Sequence, residues 1–384
     1  MPKEATYLIC AAILPSVAYG LFYTDISYFL MNQGVPYELM GMVISAMGVS
    51  TFIASLFLGG AANVKGKKKM LVAGNVLASL IMAVFALTTN PALLLAAAVL
   101  EGLGEAAVLA SRSALLADKT QDAKRNSAFS MYGFVQSIAF GFGGIAIPGM
   151  AVFGLFGFTT KESHALLYVV IALFSFASTF IMLKVGESKR LKTPRASMSA
   201  LFPRKSKAVL SKYVFTGAII AFGAGMVVPL MTAWFGLRYG VSDVISGPVL
   251  GISSILIGGG TLVAPPLARK LGTVKAIVVT QTASMVFMFA TPLAPHFALA
   301  SFIYSIRALL MNMASPLQQS MIMGLVAEDE RGAASGLSSA LWRLPNALST
   351  FVGAWLMGLG LLAEPFFVAG VFYIVSICLF WLFF

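Results

Sequence analysis

Displaced against itself by 206 residues, this sequence repeats. Gly34-Val35 falls on Gly240-Val241, Gly41 on Gly247, Val43 on Val249, Gly66 on Gly272, Lys69 on Lys275 and Arg125 on Arg331. One ungapped offset serves every match, so the two halves share segment and loop lengths as well as residues. Whatever one half folds into, the other must fold into too, and the chain is restricted to architectures made of two equivalent units.

The material of each unit is apolar. Residues of the set AVILMFWYC make up 59% of the chain and charged residues only 10%, against roughly a quarter charged in ordinary soluble domains. Each apolar run is about 20 residues or longer, enough at about 1.5 Å of rise per residue to span a hydrocarbon core of about 30 Å. Twelve spans are predicted: 6–31, 37–62, 70–89, 91–117, 126–153 and 164–184, then 212–238, 245–268, 275–293, 295–325, 332–361 and 364–384. Short alternating strands of a closed barrel do not fit such runs. The first span carries no small-residue cleavage site after a short apolar core and is expected to be retained as a helix.

Basic residues set the orientation. Lys3, Lys65 to Lys69, Lys119 to Arg125, the run from Lys184 to Lys212, Arg269, Lys270, Lys275 and Arg331 all fall on one side of the spans, while Lys161 is alone in a loop on the other. The positive-inside rule then makes both termini and the central linker cytoplasmic. The net charge of +12 sits at span ends, where anionic lipid accounts for it, and no nucleic-acid partner is implied. Residues 187–211, with Pro194 and Pro203 among basic and small residues, read as a linker between bundles 1–186 and 212–384. Cys10 and Cys378 lie inside apolar spans and suggest neither disulfide nor metal site. No GxxxxGK[ST] loop is present for nucleotide binding, and no nucleophile and base can be paired, with His164 and His296 near outer span ends. No cofactor is expected, and the chain is not expected to be an enzyme.

The loop after the second span reads Gly59-Gly60-Ala61-Ala62-Asn63-Val64-Lys65-Gly66-Lys67-Lys68. Here the chain resembles the major facilitator superfamily, whose signature in this loop is a Gly, an acidic residue and a second Gly followed by basic residues. The acidic place is taken by Asn63, and the second copy, Pro265 to Gly272, keeps only the Gly and the basic character. The resemblance implies two pseudo-symmetric six-helix bundles, an all-α membrane fold. It also implies a gating loop at Gly59, Asn63, Gly66, Lys67 and Lys68 that clamps neighbouring helix ends on the cytoplasmic side.

Ionisable groups inside spans are costly, at least about 2.5 kcal/mol each at the bilayer centre on the mildest scales, and therefore point to function. The first span holds Asp25 among Tyr19, Tyr23 and Tyr28; the fourth holds Glu101, Glu105 and Arg112; the tenth Arg307; the eleventh Arg343. At about 100° per residue Glu101, Glu105 and Arg112 share one helical face. The offset of 206 places Arg307 at the position of Glu101 and Gln318 at that of Arg112. The resemblance makes spans one, four, seven and ten the lining of a central cavity. Tyr19, Tyr23, Arg112, Thr232, Trp234, Arg307, Gln318 and Arg343 are then substrate-cavity candidates, with Pro229 a place for the seventh span to break. Asp25 is the first candidate for proton coupling. Glu101 and Glu105, one turn apart, are candidates that would share a proton when dry. A purely structural pairing of Glu101 or Glu105 with Arg307 or Arg343 is the competing reading.

These readings predict a monomeric secondary transporter in the cell membrane, coupled to protons and moving a small organic molecule by alternating access. Export is favoured, since Asp25 sits where the superfamily's proton-driven drug exporters carry an acidic residue. An importer or uniporter of an organic anion or sugar, or a lipid or lysolipid translocator of the same fold, are the alternatives.

Overall fold

The computed structural model describes residues 2–120, 122–187, 205–260, 263–327 and 331–384, without the side chains of 59–65, 122–127, 130, 265, 323 and 331–340. All but the ends of the expected linker 187–211 therefore lie outside the described residues. Among the described residues all regular structure is helical, as lipid requires of a chain that must satisfy its own peptide groups.

A first unit, Met1–Arg195 together with Asp243–Ser254, contains α1 (Lys3–Asn32), α2 (Tyr37–Lys65), α3 (Lys67–Leu87), α4 (Pro91–Asp118), α5 (Asp122–Ile145), the short α6 (Ala151–Gly154), α7 (Thr160–Met182) and the start of α10 (Asp243–Gly260). A second unit, Ala196–Ser242 with Ile255–Phe384, contains α8 (Lys207–Gly225), α9 (Met231–Tyr239), the end of α10, α11 (Ala264–Leu271), α12 (Thr273–Ala290), α13 (Phe297–Met313), α14 (Ser315–Leu325), α15 (Arg331–Gly358) and α16 (Glu364–Phe383).

The repeat reappears in the helix limits. Adding 206 to α2 gives the limits of α10 and α11 taken together, Asp243 to Leu271, and adding it to α3 gives Thr273 to Leu293, which is α12 with its closing 3-10 turn. Two glycine pairs in the same register have positive φ, Gly34 (84°) with Gly240 (66°) and Gly66 (105°) with Gly272 (84°). A side chain with a Cβ is strained in that region, so these glycines reverse the chain at equivalent loops of both halves. Packing repeats as well: α1 packs on α5 and α7 as α8 packs on α15 and α16, and α3 packs on α4 and α7 as α12 packs on α13 and α16.

Ten helical segments among the described residues are long and apolar enough to cross a membrane, and Met131–Ile145 with Ile147–Gly154, bent by 43°, makes an eleventh. The 28-residue α15 occupies the place of the expected eleventh span. Several expected spans are broken where proline removes a backbone donor. The seventh divides at the 3-10 turn Val228–Leu230, which holds Pro229, and the fifth at Ile147–Met150, which holds Pro148. The tenth divides between α13 and α14 just before Pro316. Large apolar side chains such as Phe57, Leu80, Phe134, Phe180 and Phe302 are exposed, an arrangement suited to lipid and a liability in water.

Glycine sets the closest approaches. A Cβ at Gly20 on α1 would collide with the backbone of Phe140 on α5, and one at Gly143 on α5 with the backbone of Val17 to Leu21. In the second unit Gly225 and Gly353 do the same for α8 and α15, against Asn346 and Met226. Polar contacts add to this packing: buried Asn75 on α3 donates to the carbonyl of Ser175 at 2.9 Å and to Thr179 Oγ1 at 3.0 Å on α7. Small residues and interhelical hydrogen bonds are what hold helices together where lipid removes the hydrophobic drive. Gly20→Leu is therefore expected to abolish a monodisperse folded species in detergent. Gly133→Ala, at a helical position with open space, is expected to raise stability by up to about 1 kcal/mol. Size-exclusion profiles and thermal unfolding of the two variants check this.

Candidate functional site

Three clusters of ionisable residues are built on this frame, two in the first unit and one in the second. The first lies where α1 ends and α7 and α10 begin. Asp25 is on the buried face of α1 with Phe22, Ile26 and Phe29. A capping box fixes the start of α7: Thr159 accepts from the Glu162 amide at 3.3 Å, and the Glu162 carboxylate accepts from the Thr159 amide at 2.8 Å. That start places His164 in the second turn. Gly240, left-handed, closes α9 and returns the chain so that Asp243 is the first residue of α10.

All three side chains are fully or almost fully buried. Nε2 of His164 lies 2.5 Å from Asp25 Oδ2 and 3.3 Å from Asp243 Oδ2. Tyr168, one turn further along α7, donates its hydroxyl to Asp25 Oδ2 at 3.1 Å. Phe29 stacks on Tyr168 at 4.4 Å and meets His164 edge-on at 4.9 Å. Asp25 Oδ1 and His164 Nδ1 are buried without a hydrogen bond. One ligand atom from each of Asp25, His164 and Asp243 lies within 4.8 Å of the others, a donor set of the kind that binds a metal ion. The direct contact of His164 Nε2 with Asp25 instead describes a hydrogen-bonded unit in which a proton on Nε2 faces both carboxylates. Groups this close exchange protons as a set, not singly.

The second cluster joins α1, α2 and α4. The Tyr23 hydroxyl donates to Glu105 Oε2 at 3.0 Å and lies 3.5 Å from Glu101 Oε2; Thr51 Oγ1 donates to Glu105 Oε2 at 3.0 Å. Tyr19 stacks on Tyr23 with ring centres 5.6 Å apart. Three turns along α4, buried Arg112 reaches Tyr132 of α5 at 3.5 Å, and its Nε and Nη2 have no hydrogen-bond partner.

In the second unit Arg307 is buried on α13. It donates through Nη2 to the Tyr373 hydroxyl of α16 and lies over the rings of Tyr304, at 5.7 Å, and Tyr373, at 5.4 Å. Trp234, a cavity candidate by sequence, sits in the core of this unit. Its indole donates to the Leu362 carbonyl at 2.7 Å, and its ring packs against Phe235, Tyr239 and Phe366. Thr232 is buried beside it, while Gln318 on α14 and Arg343 on α15 are half-buried.

Asp25 is thus separate from Glu101 and Glu105 in its contacts, and its partners His164, Tyr168 and Asp243 were not singled out by sequence reasoning. The available signal was positional: a His just after a capping box and an Asp just after a reversing Gly-Val, each at the same end of its span as Asp25. His296 has a plainer role, accepting at Nδ1 from the Leu299 amide at 3.2 Å to cap α13.

Residues 8–350 match the pattern described as Major Facilitator Superfamily. The chain belongs to this superfamily. It is 23% identical over 366 residues to Multidrug resistance protein 2 of Bacillus subtilis (strain 168), covering 93% of this chain and 89% of that protein. Its fold is similar to that of a bacterial homologue of the human lysosomal transporter Spinster, solved inward-facing and unoccupied, with a TM-score of 0.80 at 15% identity over 99% of this chain and 96% of the other. A mutant form of the nucleoside transporter NupG gives a TM-score of 0.80 at 13% identity over 100% of both chains. The chain is accordingly a multi-pass membrane transporter and not an enzyme.

Around the loop between α2 and α3, ionised side chains join neighbouring helix ends of the first unit. Lys67 pairs with Asp118 at the end of α4 at 2.5 Å. Lys68 donates from its Nζ to the Leu183 carbonyl at 2.6 Å and from its amide to Glu187 at 3.1 Å. Glu4 pairs with Lys119 at 3.0 Å and accepts from the Gly186 amide at 2.8 Å. Gly66, at φ 105°, turns the chain into α3. The surroundings of Gly59 and the side chain of Asn63 lie outside the described residues, and the carboxylate that pairs with this loop is Asp118 of α4. Both members of the Lys67 pair keep some exposure, so Lys67→Ala is expected to cost less than about 1 kcal/mol. His164→Ala, which leaves buried carboxylates without their partner, is expected to cost about 3–5 kcal/mol. Unfolding of the two variants in detergent separates the cases.

Proposed function

We propose that this transporter exports a small organic molecule in exchange for protons, with Asp25 carrying the proton and His164 and Asp243 sharing it. Bundles 1–186 and 212–384 rock about a central cavity in this reading, with both termini and the linker in the cytoplasm. The observation that carries it is the buried Asp25–His164–Asp243 cluster. An acid–base set, hydrogen-bonded between Asp25 and His164 and in ion-pair contact with Asp243, joins residues that the sequence assigns to different halves of the repeat, Asp25 and His164 to the first and Asp243 to the second. Protonation changes the charge of the cluster, and charge decides whether these groups remain together in a dry environment or separate into water.

Glu101 and Glu105 form a second proton-binding pair one turn apart, bridged by Tyr23. In this reading their protonation is linked to substrate, with Tyr19 and Tyr23 of α1 beside them and Arg112 on the same face of α4. Lys67, Lys68, Asp118, Glu4 and Lys119 hold the cytoplasmic helix ends together. Likeness to a multidrug resistance protein supports efflux of an amphipathic compound, and the aromatic surroundings of Tyr19 and Tyr23 suit one.

The test is proton movement in sealed proteoliposomes containing a pH-sensitive dye, with lipophilic cations, organic anions and sugars offered in turn. Substrate-dependent proton movement is expected in the parent, to fall by about tenfold or more in Asp25→Asn and in His164→Gln, and to be reduced in Glu101→Gln. Saturable substrate movement without proton movement in the parent would sink the coupling and leave a uniporter. Coupling intact in Asp25→Asn would remove the cluster from the mechanism.

A further inference from the structure

The intramembrane carboxylates belong to one unit, which also holds the buried Arg112, while among the described residues the buried cation of the other unit is Arg307. Asp25, Glu101, Glu105 and Asp243 all belong to the first. The acidic residues of the second unit are Glu328, Asp329, Glu330 and Glu364. The first three fall in the sequence between α14 and α15, and Glu364 is the first residue of α16. Arg307 is ten residues into α13, about 15 Å from its start, and its partner Tyr373 is nine residues, about 13 Å, along α16 from Glu364.

Arg307 is therefore a buried cation whose contacts among the described residues are neutral. Its guanidinium has the hydroxyl of Tyr373 and the faces of two tyrosine rings. Ser284 of α12 donates at 2.9 Å to the carbonyl of Arg307 and so holds its backbone. Nε of Arg307 is buried without a hydrogen-bond partner, and among the described residues no carboxylate pairs with it. A guanidinium stays ionised at any accessible pH, so it cannot relieve this burial by losing its proton. The bare Nε–H is one prong of the fork with which arginine takes a carboxylate in two parallel hydrogen bonds.

We propose that Arg307, with Tyr304 and Tyr373, binds the carboxylate of the transported molecule, which makes the substrate class small amphipathic organic acids. The tyrosine rings favour a flat apolar body next to the acid group. The first unit offers Arg112 as a cation too, but its three buried carboxylates, Asp25, Glu101 and Asp243, and the half-buried Glu105 disfavour an anion there, which favours Arg307. This assignment rests on the transport reading above and narrows its substrate.

The experiment uses the full chain in detergent and reads melting temperature against rising benzoate, octanoate and the uncharged isostere benzamide. Benzoate or octanoate is expected to raise the melting temperature saturably in the parent and in the charge control Lys161→Gln, with no effect of benzamide and no shift in Arg307→Gln. Where Arg307→Gln gives no cooperative melt, Arg307→Lys replaces it, and an acid-binding midpoint weakened at least fivefold is expected because the planar fork is gone. Octanoate acting without benzoate assigns the site to aliphatic acids, fatty acids included. No shift with either acid, an equal shift with benzamide, or a midpoint unchanged by substitution at Arg307 overturns the proposal. Counterflow of labelled benzoate or octanoate in liposomes separates this from the underlying reading. Acid binding that depends on Arg307 without counterflow keeps the site and sinks transport of these acids, while counterflow surviving in Arg307→Gln keeps transport and sinks the site.

Discussion

Backbone contact between α1 and α5, at Gly20 and Gly143, is the constraint on which the arrangement of the first unit depends. With no side chain between them the two helices meet main chain to main chain, which fixes the rotation of α1 about its own axis. That rotation aims Asp25 at α7 and Tyr23 at α4, two residues apart on one helix and facing separate carboxylate clusters. A larger residue at either glycine would move both clusters together. The second unit repeats the device with Gly225 and Gly353, although these are not at positions equivalent to Gly20 and Gly143, so the crossing is preserved while its residues differ.

Chemistry is less symmetric than architecture. Helix limits, reversing glycines and packing partners recur at the same offset, yet Glu101 is replaced by Arg307 and Arg112 by Gln318. The cost of placing charge in hydrocarbon makes such an asymmetry persistent only where each group has a partner or a task. In the first unit the partners are visible: a histidine and a tyrosine for Asp25, a tyrosine and a threonine for Glu105. In the second the described partners of Arg307 are neutral tyrosines, which is why we assign the carboxylate of a transported acid to it. A protein with protons on one side of its chemistry and an anion on the other can couple the two through charge alone.

Much of this was legible in the residues. The spacing of 206 defined two units, the length of the apolar runs defined helices, and the proline at 229 marked a break that appears as a 3-10 turn. Glu101, Glu105 and Arg112 followed from helical periodicity because residues on one helix have a known angular relation. Periodicity carries no information about which helix lies opposite. Asp25 was recognised by its cost, but nothing in its own span announced His164, 139 residues away, and Asp243 lay just outside the expected limit of its span. Trp234 shows the other side of this: a large amphipathic side chain on an expected cavity-lining segment suggests substrate contact, and only the tertiary structure gives its ring Phe235 and Phe366 as neighbours.

By itself, then, the sequence determined that the chain crosses a membrane as two equivalent helical units, and which buried residues carry charge, because hydrophobic length, repeat spacing and the cost of ionised groups are properties of residues in order. Only the tertiary structure decided that Asp25 answers to His164 and Asp243, that Glu101 and Glu105 share Tyr23, and that Arg307 is left to tyrosines. Those outcomes depend on helix rotation and neighbour choice, which are set by close contact at small residues from distant parts of the chain.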